Sequence, residues 1–302
     1  MTDDTIYRLL KLIVQLIGWI PRPISRAFSN FLGRLWYQID KRHRTVVQEN
    51  ISHAFGFSQD SPQVRNMTRQ IFKNIIGILF EIGWAYNLKE EKFPRYFIFK
   101  GYENLESALA KKRGVLALTC HMGNWELLCQ AISQTGLKNA ILYRKMDFQP
   151  LERFMLEIRQ RYGTRLIALK GVSRKIDGLL AQGQVVGTLL DQNVDWYEGC
   201  FVDFFGRPAC TNRGVASLVM RTRAPVVPMF IRRENKRYII EFLPEVPLVL
   251  TGDQTKDLEI NTQNYTSAVE SMIRRCPEQW FWVHNRWKTK SFCPWPQRAE
   301  SK

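Results

Sequence analysis

Six cysteines in 302 residues, none in a C-x-x-C pair and none grouped with histidines at metal-ligand spacing, leave little room for a zinc site, a redox dithiol or a disulfide-stapled scaffold. Cys120, Cys129, Cys200, Cys210, Cys276 and Cys293 read as reduced, mostly buried thiols. No G-x-S-x-G elbow is present, so a serine nucleophile of that kind is excluded. No internal repeat or low-complexity segment appears. No apolar run reaches the roughly 20 residues needed to cross a bilayer. The nearest approach, 6–20, carries Arg8 and Lys11, and no small-residue cleavage site follows it. Acidic residues are the other shortage. There are 28 Asp and Glu against 44 Lys and Arg, a formal charge of +16. Such an excess favours a polyanionic partner: nucleic acid, an anionic membrane surface, a phosphorylated substrate or an acidic protein. Nucleic acid is the weakest of these, because no nucleic-acid motif is present and the basic residues are spread along the chain.

What the chain does hold begins with a helical stretch of about 100 residues. Residues 1–38 combine the short apolar run with Arg22, Arg26 and Arg34 and with Trp19, Phe28, Phe31, Trp36 and Tyr37. Cations interleaved with aromatics suit a helix lying at an anionic leaflet; a core helix is the competing reading. Further on, Ser61 and Pro62 mark a helix start, followed by Val64, Met67, Ile71, Ile75, Leu79 and Ile82 at helical spacing. The 1–38 segment is expected to associate with a membrane, and 39–302 to form a single domain.

After Gly101 the pattern changes. Short apolar β-rich runs at 114–119, 140–144, 165–169, 184–190, 225–231 and 237–243 alternate with helical segments at 125–133, 149–162, 172–182 and 213–223. This alternation predicts an α/β fold, a mostly parallel central sheet flanked by helices. In such sheets sites gather beyond the carboxyl ends of the strands. His121 and Asp191 both stand directly after apolar runs. In "HMGNWE", His121 leaves the strand, Asn124 is placed to cap the next helix, and Glu126 falls in its first turn. A base and an orienting carboxylate fit this spacing, as does a structural His–Glu pair. Cys120 points away from its neighbour His121 if both are strand-like. In 149–162, Arg159 and Arg161 flank the stripe of Leu151, Met155, Ile158 and Tyr162, so either can reach inward. In the tail, Trp280, Trp282, His284, Arg286 and Lys288 alternate with other residues. As a strand they would end one face in a basic row, either a contact for phosphate or a solvated edge.

"HMGNWE" resembles the His-x-x-x-x-Asp/Glu signature of the glycerolipid acyltransferase superfamily, in the form found in the bacterial late acyltransferases of lipid A biosynthesis. "LYR" at 142–144, "DQNVDWYEGCFVDFFGRPACT" at 191–211, "APVVPMF" at 224–230 and "PEQWFWVHNRWKT" at 277–289 resemble that family's later blocks in order. The resemblance implies transfer of a fatty acyl chain from acyl-acyl carrier protein to a hydroxyl of a lipid A precursor, with no cofactor and no metal. It implies a place on the cytoplasmic side of the inner membrane. By the same resemblance His121 is the general base, Glu126 its orienter, Asp191 a member of the site and Arg159 an oxyanion stabiliser. Arg144, Arg161, Asn124, Gln192, Gly206 and Thr211 would bind substrate. The rivals are an acyltransferase acting on another lysolipid or glycolipid, and a basic nucleic-acid-binding protein.

Overall fold

The computed structural model describes residues 2–169 and 173–290. Cys293 and residue 172, the expected start of one helix, lie outside them. Four helices fill the first part of the chain: α1 (Asp3–Trp19), α2 (Arg22–Ile39), α3 (Lys41–Phe55) and α4 (Pro62–Asn87). Their starts follow local chemistry. Asp40 accepts the backbone N–H of His43 at 3.0 Å, which starts α3. The Ser61 hydroxyl accepts that of Val64 at 3.3 Å, with Pro62 in the first position of α4. Val64, Ile71 and Ile82 of the expected stripe are buried, but Leu79 is 57% exposed. No described helix is long and apolar enough to cross a membrane. Instead α1 buries none of its side chains, and α1 and α2 leave Leu12, Trp19, Phe28, Phe31 and Ile39 exposed.

Past Gly101 the alternation holds. The strands are β1 (Phe97–Lys100), β2 (Val115–Thr119), β3 (Asn139–Tyr143), β4 (Arg165–Ala168), β5 (Val185–Leu189), β6 (Gly199–Phe204), β7 (Arg207–Asn212), β8 (Val226–Glu234) and β9 (Arg237–Phe242). The helices between and after them are α5 (Tyr102–Leu109), α6 (Trp125–Ser133), α7 (Gln149–Gln160), α8 (Ser173–Ala181), α9 (Gly214–Thr222) and α10 (Gln254–Arg275). Seven strands form one sheet in the order β1-β9-β8-β2-β5-β3-β4. Every neighbouring pair is parallel except the β8–β9 hairpin. The expected α/β class and mostly parallel sheet are therefore present. All five residues of β2 are buried, because helices cover both faces of a central parallel strand; its sequence is accordingly a continuous apolar run.

The tail differs from the expectation. Residues 280–288 form an isolated bridge, Met122 with Trp280, and a series of turns rather than a strand. Trp280, Trp282 and Trp287 are core residues, and Arg286 is fully buried. There is no basic row: the segment folds inward because its large rings fill the space behind β6 and β7, with Trp280 and Trp287 against Phe204.

Candidate active site

The parallel register of β2 and β5 sets the geometry. Thr119 lies opposite Leu189, and Leu190 donates its N–H to the Thr119 carbonyl at 3.1 Å. Two residues past that pair on each strand come His121 and Asp191, side by side at the carboxyl edge of the sheet. The Asp191 carboxylate, 2% exposed, is fully engaged. Its Oδ1 bonds His121 Nδ1 at 2.8 Å. Its Oδ2 accepts the His121 backbone N–H at 2.8 Å and the Trp280 indole N–H at 2.7 Å. An ionised carboxylate accepts only, so Nδ1 carries the proton. Nε2 is then the basic nitrogen, and it has no protein hydrogen bond among the described residues.

The charges respond to this packing. Burial disfavours a charged imidazole, but the charge and hydrogen bond of Asp191 outweigh it, with Glu126 adding and Arg159 opposing, so His121 is more basic than an ordinary histidine. Burial likewise opposes ionisation of Asp191. The His121 charge, its ring and backbone N–H groups and the Trp280 indole overcome that and hold the carboxyl below its usual range. Cys120 next door is 1% exposed, and burial followed by the Asp191 charge pushes its thiol well up. It is a protonated core residue rather than a nucleophile.

The turn carrying His121 is held from several sides. Gly123 has φ +61, and a Cβ there would stand 2.1 Å from the Ile231 carbonyl oxygen, so only glycine fits. Gly123 donates its N–H to the Gln279 carbonyl at 2.9 Å, and Phe281 donates to the His121 carbonyl at 3.0 Å. Arg233 of β8 pairs with Glu81 of α4 at 2.5 Å and donates to the Gly123 carbonyl at 3.2 Å. We expect Gly123→Ala to cost more than about 2 kcal/mol of folding stability, read as a lowered midpoint in denaturant unfolding.

Glu126 and Arg159 form a second unit. The guanidinium donates twice to the carboxylate, Nε to Oε2 and Nη2 to Oε1, both at 2.7 Å. The Trp125 indole N–H adds a bond to Oε1 at 3.0 Å. Both side chains of the pair are nearly buried, 11% and 8% exposed. The expected His121–Glu126 hydrogen bond is absent: Glu126 faces Arg159, and the ring partner of His121 is Asp191. The reason is directional. The first turn of α6 leads Glu126 toward α7, whereas the register of the sheet leads Asp191 to the histidine.

The remaining expected residues divide. Arg144 is exposed just beyond β3, and Gln192 is exposed just beyond Asp191, both on the edge that holds His121. Asn124 occupies the N-cap position of α6 without capping it; its side-chain amide donates instead to Glu81 at 2.9 Å. Arg161 turns away from the site and closes the end of α4, donating to the carbonyls of Ala85, at 3.0 Å, and Leu88, at 3.2 Å. Gly206, with φ +74, shapes the tight β6–β7 turn with Phe205. Thr211 is buried and accepts from Arg286, which also donates to the Cys210 carbonyl at 2.8 Å. Burial presses that guanidinium down to about 10. Trp280 is the member of the site that the sequence does not single out: the alternation of 280–288 reads as a strand and conceals the inward aim of its indole. A cleft of about 520 Å³ lined by Lys111, Arg113 and Arg223 lies at the opposite edge of the sheet, where β2 and β8 begin.

The family model described as bacterial lipid A biosynthesis acyltransferase matches residues 3–289. The chain is 25% identical over 281 residues to a lipid A biosynthesis palmitoleoyltransferase of Escherichia coli, covering 90% of this chain and 87% of that one. It is 26% identical over 283 residues to the lipid A biosynthesis lauroyltransferase of the same organism, covering 92% and 90%. A lipid A biosynthesis acyltransferase of Haemophilus influenzae is 23% identical over 280 residues, covering 91% and 85%.

Proposed function

Since the chain belongs to the bacterial lipid A biosynthesis acyltransferase family, we propose that it moves a fatty acyl chain from acyl-acyl carrier protein to a hydroxyl of a lipid A precursor, with His121 as general base. The observation that carries this reading is the His121–Asp191 pair at the sheet edge, its proton on Nδ1 and its Nε2 unengaged by protein among the described residues. Nε2 removes the proton from the acceptor hydroxyl as the oxygen attacks the thioester carbonyl. The new C–O bond gives a tetrahedral oxyanion. Its collapse breaks the C–S bond, and the imidazolium returns its proton to the departing thiolate. Asp191 keeps the tautomer and stabilises the transient imidazolium.

Arg159 is the group in this site suited to the oxyanion. Two of its donor directions are fixed on Glu126, which leaves Nη1 aligned by the same rigid fork. Glu126 accordingly acts on Arg159 and positions it. No metal or cofactor is needed, because the thioester is already activated. The donor would be recruited by the +16 charge, since acyl carriers are acidic. Arg144 and Gln192, exposed on the site edge, are in position to meet substrate. Residues 1–38, with their exposed apolar rows, lie against the cytoplasmic face of the inner membrane, where the acceptor resides.

The test is direct. Purified protein is incubated with a lipid A precursor and either acyl-acyl carrier protein or the same chain as a coenzyme A thioester, and products are read by mass spectrometry. Ester formation on the precursor, faster from the carrier, is expected. Acylation of a lysophospholipid or another glycolipid in its place would assign the chain to that acceptor. A second measurement tests whether Glu126 acts through Arg159. Arg159→Gln is expected to lower kcat about 10²–10³-fold. Glu126→Gln and the double variant should fall by similar amounts, because the pair works as a unit. If Glu126→Gln and Arg159→Gln instead multiply, Glu126 acts elsewhere.

A further inference from the structure

The crossing of α2 and α4 brings together cations that nothing in the acyl-transfer site uses. A Cβ on Gly33 would stand 2.6 Å from the Lys73 Cα, so the glycine lets the two helices touch backbone to backbone. That contact places Arg34, one residue on, beside Lys73 and Arg69 of α4. Burial, followed by the like charges of Arg34 and Arg69, lowers the Lys73 ammonium from its ordinary value. Tyr37 is flanked by two guanidinium groups, Arg69 and Arg44, each 5.3 Å from its ring centroid. Among the described residues, none of Arg34, Arg69, Arg44 and Lys73 has an ion pair with a carboxylate. Arg34 and Arg69 are exposed, and Lys73 and Arg44 are half-buried.

Arg44 spends its Nη1 on the Tyr37 and Gln38 carbonyls, at 2.8 and 3.3 Å, but Arg34, Arg69 and Lys73 stand together without an ion pair among the described residues, a repulsion that a bound anion relieves. The neighbouring surface identifies the source of that anion. Phe28, Phe31, Leu35 and Ile39 recur along the outward side of α2 and are 52%, 61%, 40% and 70% exposed. Large apolar side chains this exposed, running along one helix beside a cluster of cations, fit an anionic bilayer, which buries the row and supplies the phosphate at once. We propose that Arg34, Arg69 and Lys73, with Arg44 behind them, form a seat for the phosphate of an anionic membrane lipid at the α2–α4 crossing. This deepens the membrane-surface reading of residues 1–38 and rests on it. The apolar row of α2 enters the acyl boundary while the phosphate bridges the two helices, which fixes the rotation of α2 on the leaflet. Tyr37 is the spacer that keeps Arg69 and Arg44 apart.

The test uses the full chain and sedimentation with vesicles of phosphatidylcholine alone or with about one third phosphatidylglycerol. Wild type is expected to bind the anionic vesicles far more tightly. Arg34→Gln/Arg69→Gln/Lys73→Met should weaken that binding about 10²-fold and leave the weaker binding to phosphatidylcholine unchanged. A control, Lys111→Gln/Arg113→Gln/Arg223→Gln, removes the same charge at the far edge of the sheet and should weaken it much less. Should the first triple variant fail to fold, the exposed pair Arg34→Gln/Arg69→Gln answers the same question with a loss of about 25-fold. If both triples lose equally, net charge alone drives binding and the seat is refuted. If the first triple binds like wild type, the seat is refuted while membrane binding stands. If wild type binds neither vesicle, the membrane reading fails and the seat with it. Competition by acyl carrier protein for the seat, with no vesicle binding, would assign these cations to the carrier.

Discussion

Asp191→Asn is expected to lower kcat by about 10³–10⁴-fold while the protein stays folded. The argument follows from which atoms the carboxylate serves. Its Oδ2 receives two N–H donors, the His121 backbone and the Trp280 indole. An asparagine must therefore turn its carbonyl oxygen to that side. Its amide NH₂ then takes the place of Oδ1 and donates to His121 Nδ1. The imidazole proton moves to Nε2, and the nitrogen that should accept the substrate proton no longer can. The pH dependence shifts as well, and its sign is fixed. In the wild type the histidine is raised above its ordinary value, chiefly by Asp191 acting against burial. The base must be neutral to act, so kcat/KM should rise with pH through a limb above the ordinary histidine value and then level. In the Asp191→Asn variant, burial and Arg159 are opposed by Glu126 alone, so the limb moves to lower pH. A pH profile and a single kcat measurement check both statements. A variant with its limb at higher pH would show that Asp191 does not set the basicity of His121.

His121→Ala is expected to abolish nearly all transfer, a fall of at least about 10²–10⁴-fold in kcat from the loss of the base alone. KM should change little. The turn itself should persist, because its ties run through the backbone: the His121 N–H to Asp191, its carbonyl to Phe281, and Gly123 to Gln279. Thermal unfolding would still show one cooperative transition, lowered by the unpartnered Asp191 oxygen left behind. The same experiment separates direct transfer from an acyl-enzyme. Labelled acyl donor alone should leave no covalent acyl group on the protein, and Cys120→Ala should keep substantial activity, since that thiol is buried and protonated. An acylated Cys120, or near wild-type rates for His121→Ala, would return the turn to a structural role.

The strands that carry the site were legible because β2, β5 and β8 are buried on both faces and so read as apolar runs. His121 and Asp191 were legible for the same reason, as polar residues where such runs stop. Their pairing was not. It is set by the register between β2 and β5, and 70 residues separate the two side chains, whereas Glu126 is five residues from His121 and looked the nearer partner. Arg159 does reach inward from its flank of the α7 stripe, but onto Glu126. Arg161 and Asn124 misled for a common cause. Arg161 has a helical phase that allows it to reach the site and Asn124 stands where a cap is expected, yet acceptors nearby, the α4 carbonyls and Glu81, take their donors. The tail misled differently. Alternating Trp and basic residues satisfy a two-residue period, but Arg286 is fully buried beside the rings, so period and exposure part company. The β6–β7 hairpin and α10 had too little periodic signal to be placed beforehand.

The clasp formed by the tail also sets a timetable. The indole that fixes Asp191 lies 89 residues downstream of it. The next ties, Asn193 donating its N–H to His284 Nε2 at 2.8 Å and Thr289 donating to Asn193 at 3.1 Å, come later still. A ribosome adding about 5–20 residues per second reaches Trp280 roughly 4–18 s after Asp191. Until then Asp191 has its two bonds to His121 but lacks its indole donor. The full set of donors to Asp191 is therefore complete only once Trp280 has been made and the tail has folded back against Phe204.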